Sequence, residues 1–200
     1  MSLLQAHASH DAPARSGSAH GTHNTAALIR SAMNKTDTAK KTSNMFQFVS
    51  FSLDKEIFAI DVLKICGVER MLDITAIPGM PEFTDGVINL RNIRKLNNSI
   101  VPGIDLRKKF SLPAHPQDKE TRIVLIELES KLVIGIIVDS VEEVFQIDQS
   151  NIDIVPRVGR PKVDVRYIEG VAHKGDRLII ILNIEKIFSE EETKNLLKIT

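Results

Sequence analysis

The sequence predicts an all-β fold: two small, related β-barrels of about five strands each, preceded by a tail and closed by a short C-terminal helix. Three observations predict it. Short runs of β-branched and aromatic residues, punctuated by turn residues, begin abruptly at Met45 and continue to the end of the chain. All eight Phe and the one Tyr lie beyond residue 44. The second half of the chain also repeats the first at a nearly constant offset. Many short strands with few long helical patterns indicate a barrel or sandwich.

The elements follow in chain order. Residues 1–44 are rich in Ala, Ser, Thr, His and Asn, and their large aliphatics are only Leu3, Leu4, Leu28 and Ile29. Such a segment buries too little apolar surface to offset a backbone ordering entropy on the order of 1–2 kcal/mol per residue, so disorder is expected. A short helix around 26–33 would be marginal alone. Phe46-Gln47-Phe48-Val49-Ser50-Phe51-Ser52-Leu53 approaches period-two alternation, and Asp54-Lys55 reads as a turn before Ile57-Phe58-Ala59-Ile60-Asp61-Val62. That is a hairpin. Further strands are expected at 86–90, 99–106, 121–128, 132–138, 168–173 and 177–184. Helix is expected only in short pieces, at 61–65, 138–142 and 190–198. The last follows a capping box at Ser189-Glu190-Glu191-Glu192.

The internal repeat organises these elements. Val49-x-Phe51 through Val68 lies on Leu125 through Val144 at an offset of 76, matching Ile60 to Ile136 and Ile65-x-x-Val68 to Val141-x-x-Val144. Phe83-Thr84-Asp85-Gly86-Val87 matches Tyr167-Ile168-Glu169-Gly170-Val171 at an offset of 84. Ile104-Asp105-Leu106 through Phe110 then matches Leu182-Asn183-Ile184 through Phe188 at an offset of 78. The paired Gly-Val and the terminal Phe argue against chance alignment of aliphatic strands. The expected subdomains are 46–115 and 120–188, within a folded unit of 45–200. The first carries six extra residues between Val87 and Ile104. An ordinary turn glycine is the expectation for Gly170. For Gly86, a turn, a positive φ and a close backbone approach all stay open.

Composition narrows function. Lys+Arg and Asp+Glu each number 26, which argues against a broad electrostatic footprint for nucleic acid or anionic membrane. The tail carries five cations and two anions, net +3, so the folded part is mildly acidic at −3. One cysteine, Cys66, makes no intramolecular disulfide and suits a reducing compartment. No apolar run reaches the roughly 18 residues of a membrane span. The N-terminus shows no basic region followed by an apolar one, so no signal peptide is expected. The cytoplasm is the expected location.

Enzymatic constellations are missing from the sequence. It has no glycine-rich phosphate loop and no G-x-S-x-G elbow. Four of the six His lie in the tail; His20 and His23 lack a third ligand, so no metal is expected. Cys66 reads as a small hydrophobe. Asp61 with Glu69, and Asp139 with Glu142 and Glu143, read as solvated carboxylates with nothing to fix their separation. The basic run Arg91, Arg94, Lys95 has no interleaved aromatic residue for stacking on single-stranded nucleic acid. A better signal is apolar. Ile65-Cys66-Gly67-Val68 and Val141-Glu142-Glu143-Val144 follow the two hairpins at equivalent positions. Related by pseudo-symmetry, they could line a groove between the barrels that receives a partner helix; the competing reading is buried core.

At Gly86-Val87-Ile88-Asn89-Leu90-Arg91 and Ile100-Val101-Pro102-Gly103-Ile104-Asp105-Leu106-Arg107 the sequence resembles the CheW family, whose signature reads close to G-V-I-N-L-R-G-x-I-V-P-V-I-D-L-R. Further matches are Phe58-Ala59-Ile60, Thr75-x-Ile77-Pro78-x-x-Pro81-x-Phe83, Gly135-Ile136-Ile137-Val138-Asp139-Ser140-Val141 and Arg177-Leu178-Ile179. The resemblance covers about 46–190. It implies two SH3-like five-stranded barrels, no catalytic activity and no cofactor. It also implies an adaptor linking the cytoplasmic tip of chemoreceptors (methyl-accepting chemotaxis proteins) to the regulatory domain of the histidine kinase CheA, with recruitment to membrane receptor arrays. By motif, the receptor-facing residues would be Ile65, Val68, Gly86, Arg91, Val141 and Val144. Arg91 would fix register or brace the groove by hydrogen bonding, or else stand as a surface cation with a buried stem. Kinase contact would fall on the outer strands of the first barrel.

Three departures qualify the match. Six extra residues follow Arg91, where the family turns through Gly; Asn92 or Asn98 would take that position. Gly67 stands where the family often carries an acidic residue. Gly103 replaces an aliphatic residue and is expected to weaken packing. The other functional readings are a coupling protein of a related kinase pathway, such as pilus motility, and a barrel binding single-stranded nucleic acid through the insert.

Overall fold

The structure, a computed structural model, describes residues 45–90, 100–154 and 163–199. The tail, Arg91 and the insert at 92–97 lie outside the described residues. The described strands are β1 (Met45–Leu53), β2 (Glu56–Asp61), β3 (Ile65–Arg70), β4 (Ile74–Thr75), β5 (Thr84–Asn89), β6 (Ile100–Asp105), β7 (Arg122–Glu127), β8 (Val133–Val138), β9 (Ser140–Asp148), β10 (Ile152–Asp153), β11 (Ile168–Lys174) and β12 (Arg177–Leu182). Short helices α1 (Leu106–Lys109) and α2 (Ile184–Ile187) follow β6 and β12, and α3 (Glu190–Leu197) closes the chain.

The strands form two six-stranded sheets with the same internal order. Barrel I runs β3-β7-β8-β6-β5-β4, and barrel II runs β9-β1-β2-β12-β11-β10. The predicted all-β architecture is therefore present, but 46–115 and 120–188 are not the two barrels. The first hairpin, β1–β2, pairs with β9 and β12 of the second half. The second hairpin, β7–β8, pairs with β3 and β6 of the first. Each repeat lends its hairpin to the other. The sequence repeat is blind to this exchange, because equivalent hairpins fit either sheet.

The cores follow from strand alternation. Along β2, Phe58 and Ile60 point to one face and Ala59 to the other; along β12, Ile180 and Leu182 oppose Ile179 and Ile181. Barrel II curls around Phe48, Ala59, Phe145, Ile147, Ala172, Ile179 and Ile181. Barrel I curls around Ile88, Leu90, Val101, Ile123, Leu125 and Ile137. The largest core lies between them and draws on both barrels, from Phe51 and Phe58 through Ile104, Val124 and Ile136 to Ile180 and Phe188. At roughly 1.5–3 kcal/mol per fully buried large apolar side chain, this shared core dominates the apolar stabilisation.

Two expectations are corrected here. No helix forms at 138–142; β9 begins at Ser140. Val141 and Val144 are three apart and both face the shared core because β9 is bulged. Val144 pairs with Val49 and Val141 with Phe51, so Glu142 and Glu143 together oppose Ser50. The Ser50 hydroxyl donates to the Glu143 carbonyl at 3.1 Å and fastens the bulge. Likewise Ile65 pairs with Ile126 and Gly67 with Leu125, a bulge that turns Ile65 and Val68 to one face. Gly103 is the second correction. In register it stands between Gly86 and Gly135, and the Ile88 side chain fills the space where a Cβ on Gly103 or Gly135 would sit. The packing is complete, and the glycine row is what admits Ile88.

The helices are capped as their sequences suggest. Asp105 accepts from the backbone N–H groups of Arg107 and Lys108, and its counterpart Asn183 accepts from Lys186. Ser189 and Glu192 form the expected capping box of α3.

Candidate partner-binding seam

The predicted apolar site residues lie on β3 and β9, at one edge of each sheet. Ile65 is buried, only 4% exposed, and belongs to the shared core. Val68, Val141 and Val144 are half-buried and pack against the same core. The expected open groove is thus largely filled: one continuous core joins the barrels, and three valines form its half-exposed rim. Ile65 supports that rim from beneath and offers little surface to a partner.

Gly86 has a structural explanation. Its φ is +143°, and a Cβ there would lie 2.7 Å from the Thr75 carbonyl carbon, with the carbonyl oxygen closer still. It permits β4 to lie across β5 at the bulge between Thr84 and Gly86. Gly170 occupies the equivalent bulge in β11, not a turn as expected. A Cβ there would lie 2.5 Å from Ile152 Cγ2 and 3.1 Å from the Asp153 carbonyl oxygen of β10. Gly67 meets no such crowding; its nearest neighbour would be Leu125 Cδ1 at 3.7 Å.

Two ionic clusters, neither anticipated from the sequence, fasten the places where the chain crosses between barrels. Asp139 is the crossing residue between β8 and β9. Its carboxylate accepts from Arg107 Nε at 2.7 Å and Nη2 at 2.5 Å, and from the Asp54 backbone N–H in the β1–β2 turn at 2.8 Å. Arg107 Nη1 also donates to the Pro113 carbonyl at 2.6 Å. The hydrogen bond to Asp139 raises the Arg107 pKa further above its ordinary value. On the other crossing, between β2 and β3, Lys64 Nζ donates to Glu185 at 2.8 Å and to Glu129 at 3.4 Å. Glu185 also accepts the Glu129 backbone N–H at 3.0 Å. The hydrogen bond to Glu185 raises the Lys64 pKa.

A third cluster holds the C-terminal helix. The nearly buried Lys109 ammonium lies 4.3 Å from the Phe83 ring centroid and pairs with Glu192 at 2.7 Å. Beside it opens a cleft of about 560 Å³, lined among others by Arg166, Tyr167, Lys186 and Glu191. Among the described residues no group of three His, Cys, Asp or Glu is placed to hold a metal, and no helix is long and apolar enough to cross a membrane.

Two barrels fused through a shared core carry a half-exposed aliphatic rim on matched edge strands, the architecture of a scaffold-type domain. The CheW-like domain profile matches residues 47–192, and the chain belongs to that family. It is 33% identical over 146 residues to the chemotaxis protein CheW of Klebsiella aerogenes, covering 73% of this chain and 83% of that protein. It is 31% identical over 147 residues to that of Helicobacter pylori, covering 74% and 84%. The crystal structure of the scaffolding protein TtCheW from Thermoanaerobacter tengcongensis matches with a TM-score of 0.64 at 35% identity, covering 74% of this chain and 90% of that one.

Proposed function

We propose that the protein is a non-catalytic adaptor of a bacterial chemotaxis array, coupling the cytoplasmic tip of chemoreceptors to the regulatory domain of the histidine kinase CheA. The observation that carries this reading is the half-exposed rim of Val68, Val141 and Val144 on two pseudo-symmetric edge strands. An amphipathic receptor helix would lay its apolar face on that rim. Ile65 would support the rim from beneath, and Gly86, at the β4–β5 edge of the sheet, would not touch the receptor. Arg91 keeps the role its motif implies, fixing the register of the docked helix by hydrogen bonding. Kinase contact is assigned to the outer strands of barrel I, where Leu72, Ile77 and Ile100 stand exposed around β4–β6. The protein would act in the cytoplasm, recruited to receptors at the membrane.

Mixing the full chain with CheA and a soluble receptor cytoplasmic fragment should give a ternary complex. Val144→Asp or Arg91→Glu should weaken receptor capture and leave kinase capture near wild type. Equal loss of both partners would reject the assignment of the seam to the receptor.

A further inference from the structure

The two ionic clusters at the barrel crossings are related by the internal repeat. Arg107 on α1 and Glu185 on α2 are equivalent at the offset of 78, and the crossing residues Asp139 and Lys64 correspond to within one position. In each cluster a carboxylate takes both a cation and a backbone N–H from a hairpin turn. The polarity is reversed. The carboxylate sits on the crossing in one cluster and on the helix in the other.

They also differ in strength. Arg107 and Asp139 are 10% and 21% exposed and joined by two parallel hydrogen bonds. Such a desolvated, forked pair is stiff and weakly screened. Lys64 and Glu185 are 32% and 26% exposed, and one ammonium is shared with Glu129, whose side chain is 77% exposed. That pair is reached by water and salt. Asp139 stands two residues before Val141 on β9, whereas Lys64 immediately precedes Ile65 on β3.

We infer that the two clamps position the seam unequally: the Arg107–Asp139 clamp fixes β9, and the Lys64–Glu185 clamp leaves β3 as the strand that moves to admit a partner helix. The link to a partner helix rests on the adaptor reading; the unequal mobility does not. β3 is also the shorter edge strand, six residues against nine in β9. Relaxing the weak clamp frees the β7–β8 turn at Glu129 and the entry to β3 together, because Glu185 holds both.

Hydrogen exchange on the full chain tests this. Glu185→Gln keeps an acceptor for the Glu129 N–H but removes the ion pair. Amides of β3 should then exchange about threefold faster, while those of β9 keep their wild-type rates. Raising NaCl from about 0.05 to about 0.5 M should do the same in the wild type and add much less in the variant, where only the exposed Lys64–Glu129 pair is left to screen. Lys64→Gln, which removes the pair from the other side, should reproduce the pattern. Equal acceleration of β3 and β9, or none in β3, would overturn the inference. A soluble receptor fragment should bind Glu185→Gln about threefold more weakly, because a looser β3 must be ordered on docking. Unchanged affinity with faster β3 exchange would sever the clamp from docking. A fragment that does not bind the wild type would count against the adaptor reading, and the exchange data would still decide the mobility.

Discussion

The pseudo-symmetric glycines Gly86 and Gly170 should respond very differently to the same substitution. At Gly86 the backbone φ of +143° is one that L side chains rarely adopt, a strain of about 1–3 kcal/mol. The new Cβ would also press on the Thr75 carbonyl, with Ala76 Cα at 3.0 Å. These are backbone atoms, fixed by the pairing of Ile74 with Ile88 and Thr75 with Val87. Relief requires lifting β4 from the sheet edge, so Gly86→Ala should destabilise by about 3–5 kcal/mol in all. At Gly170 the backbone φ is not strained; the nearest atom is the Ile152 Cγ2 branch methyl, which yields only by a χ1 change on the short edge strand β10, and the Asp153 oxygen at 3.1 Å needs only a small shift. Gly170→Ala should cost about 1–2 kcal/mol. With a urea slope of about 2 kcal/mol/M, the unfolding midpoint should fall by about 2 M for the first and by about 0.5–1 M for the second. A difference between the variants below about 1 kcal/mol would refute the argument from backbone crowding. Receptor capture per folded molecule should stay normal in Gly86→Ala; a loss of capture at wild-type stability would return Gly86 to the contact surface.

Other perturbations follow the same geometry. Cutting the chain between 115 and 120 should leave two fragments that do not fold alone but regain β circular dichroism when mixed, since each barrel needs the other half's hairpin; a folded isolated half would contradict the exchange. Asp139→Ala strands the Arg107 guanidinium in a mostly buried site and should lower stability by about 3 kcal/mol. The double variant Arg107→Met/Asp139→Leu should recover much of that, and a double variant worse than the single would show that the ionic geometry itself is required. Burial pushes the Glu192 carboxyl up, but hydrogen bonds from Lys109 and the Ser189 N–H outweigh this and leave its pKa below the ordinary glutamate range. A depressed folded value means that its stabilisation is present at neutral pH and is lost as the pH falls from about 4.3 toward that lower value. Lys109→Met should therefore flatten the acid limb of Tm against pH, whereas an unchanged limb would show that the pair contributes nothing.

Most strands were legible because their alternation is local: 46–53, 121–128 and 177–184 read correctly to within two residues. The two-residue strands β4 and β10 are too short to show alternation, and the longer strands that escaped, β3 and β9, share one cause. Bulges at Cys66-Gly67 and Glu142-Glu143 shift the apolar spacing from two to three, and a spacing of three imitates a helix turn. The repeat revealed two barrels but not the exchange of hairpins, because pairing partners are non-local and the two hairpins are interchangeable in pattern. At the seam, the repeat singled out the aliphatic quartet but left groove and buried core both open, since the shared core closes over it only when both barrels are present. The clamps left no signal. Arg107 is 32 residues from Asp139 and Lys64 is 121 from Glu185, and nothing in either neighbourhood marks a partner.

The hairpin exchange bears directly on what such a module can transmit. Two barrels tethered by a linker would rotate independently, and a helix docked between them would report nothing to a second surface. Here the chain crosses between barrels at β2–β3 and again at β8–β9, and each crossing is fastened to the helix of the barrel it leaves. The core between the barrels exceeds the core within either one. Separating them would expose more apolar surface than unfolding one barrel's own interior, so rigid coupling is the lower free-energy arrangement. Strand pairing runs unbroken from the β3 rim through β7, β8, β6 and β5 to the exposed edge around Ile77 and Ile100, a continuous route for displacement. Cross-linking β3 to β9 across the seam through introduced cysteines should consequently alter capture of CheA at the distant edge proposed for it. Normal capture by the cross-linked protein would mean that the barrels hold two partners side by side without passing strain between them.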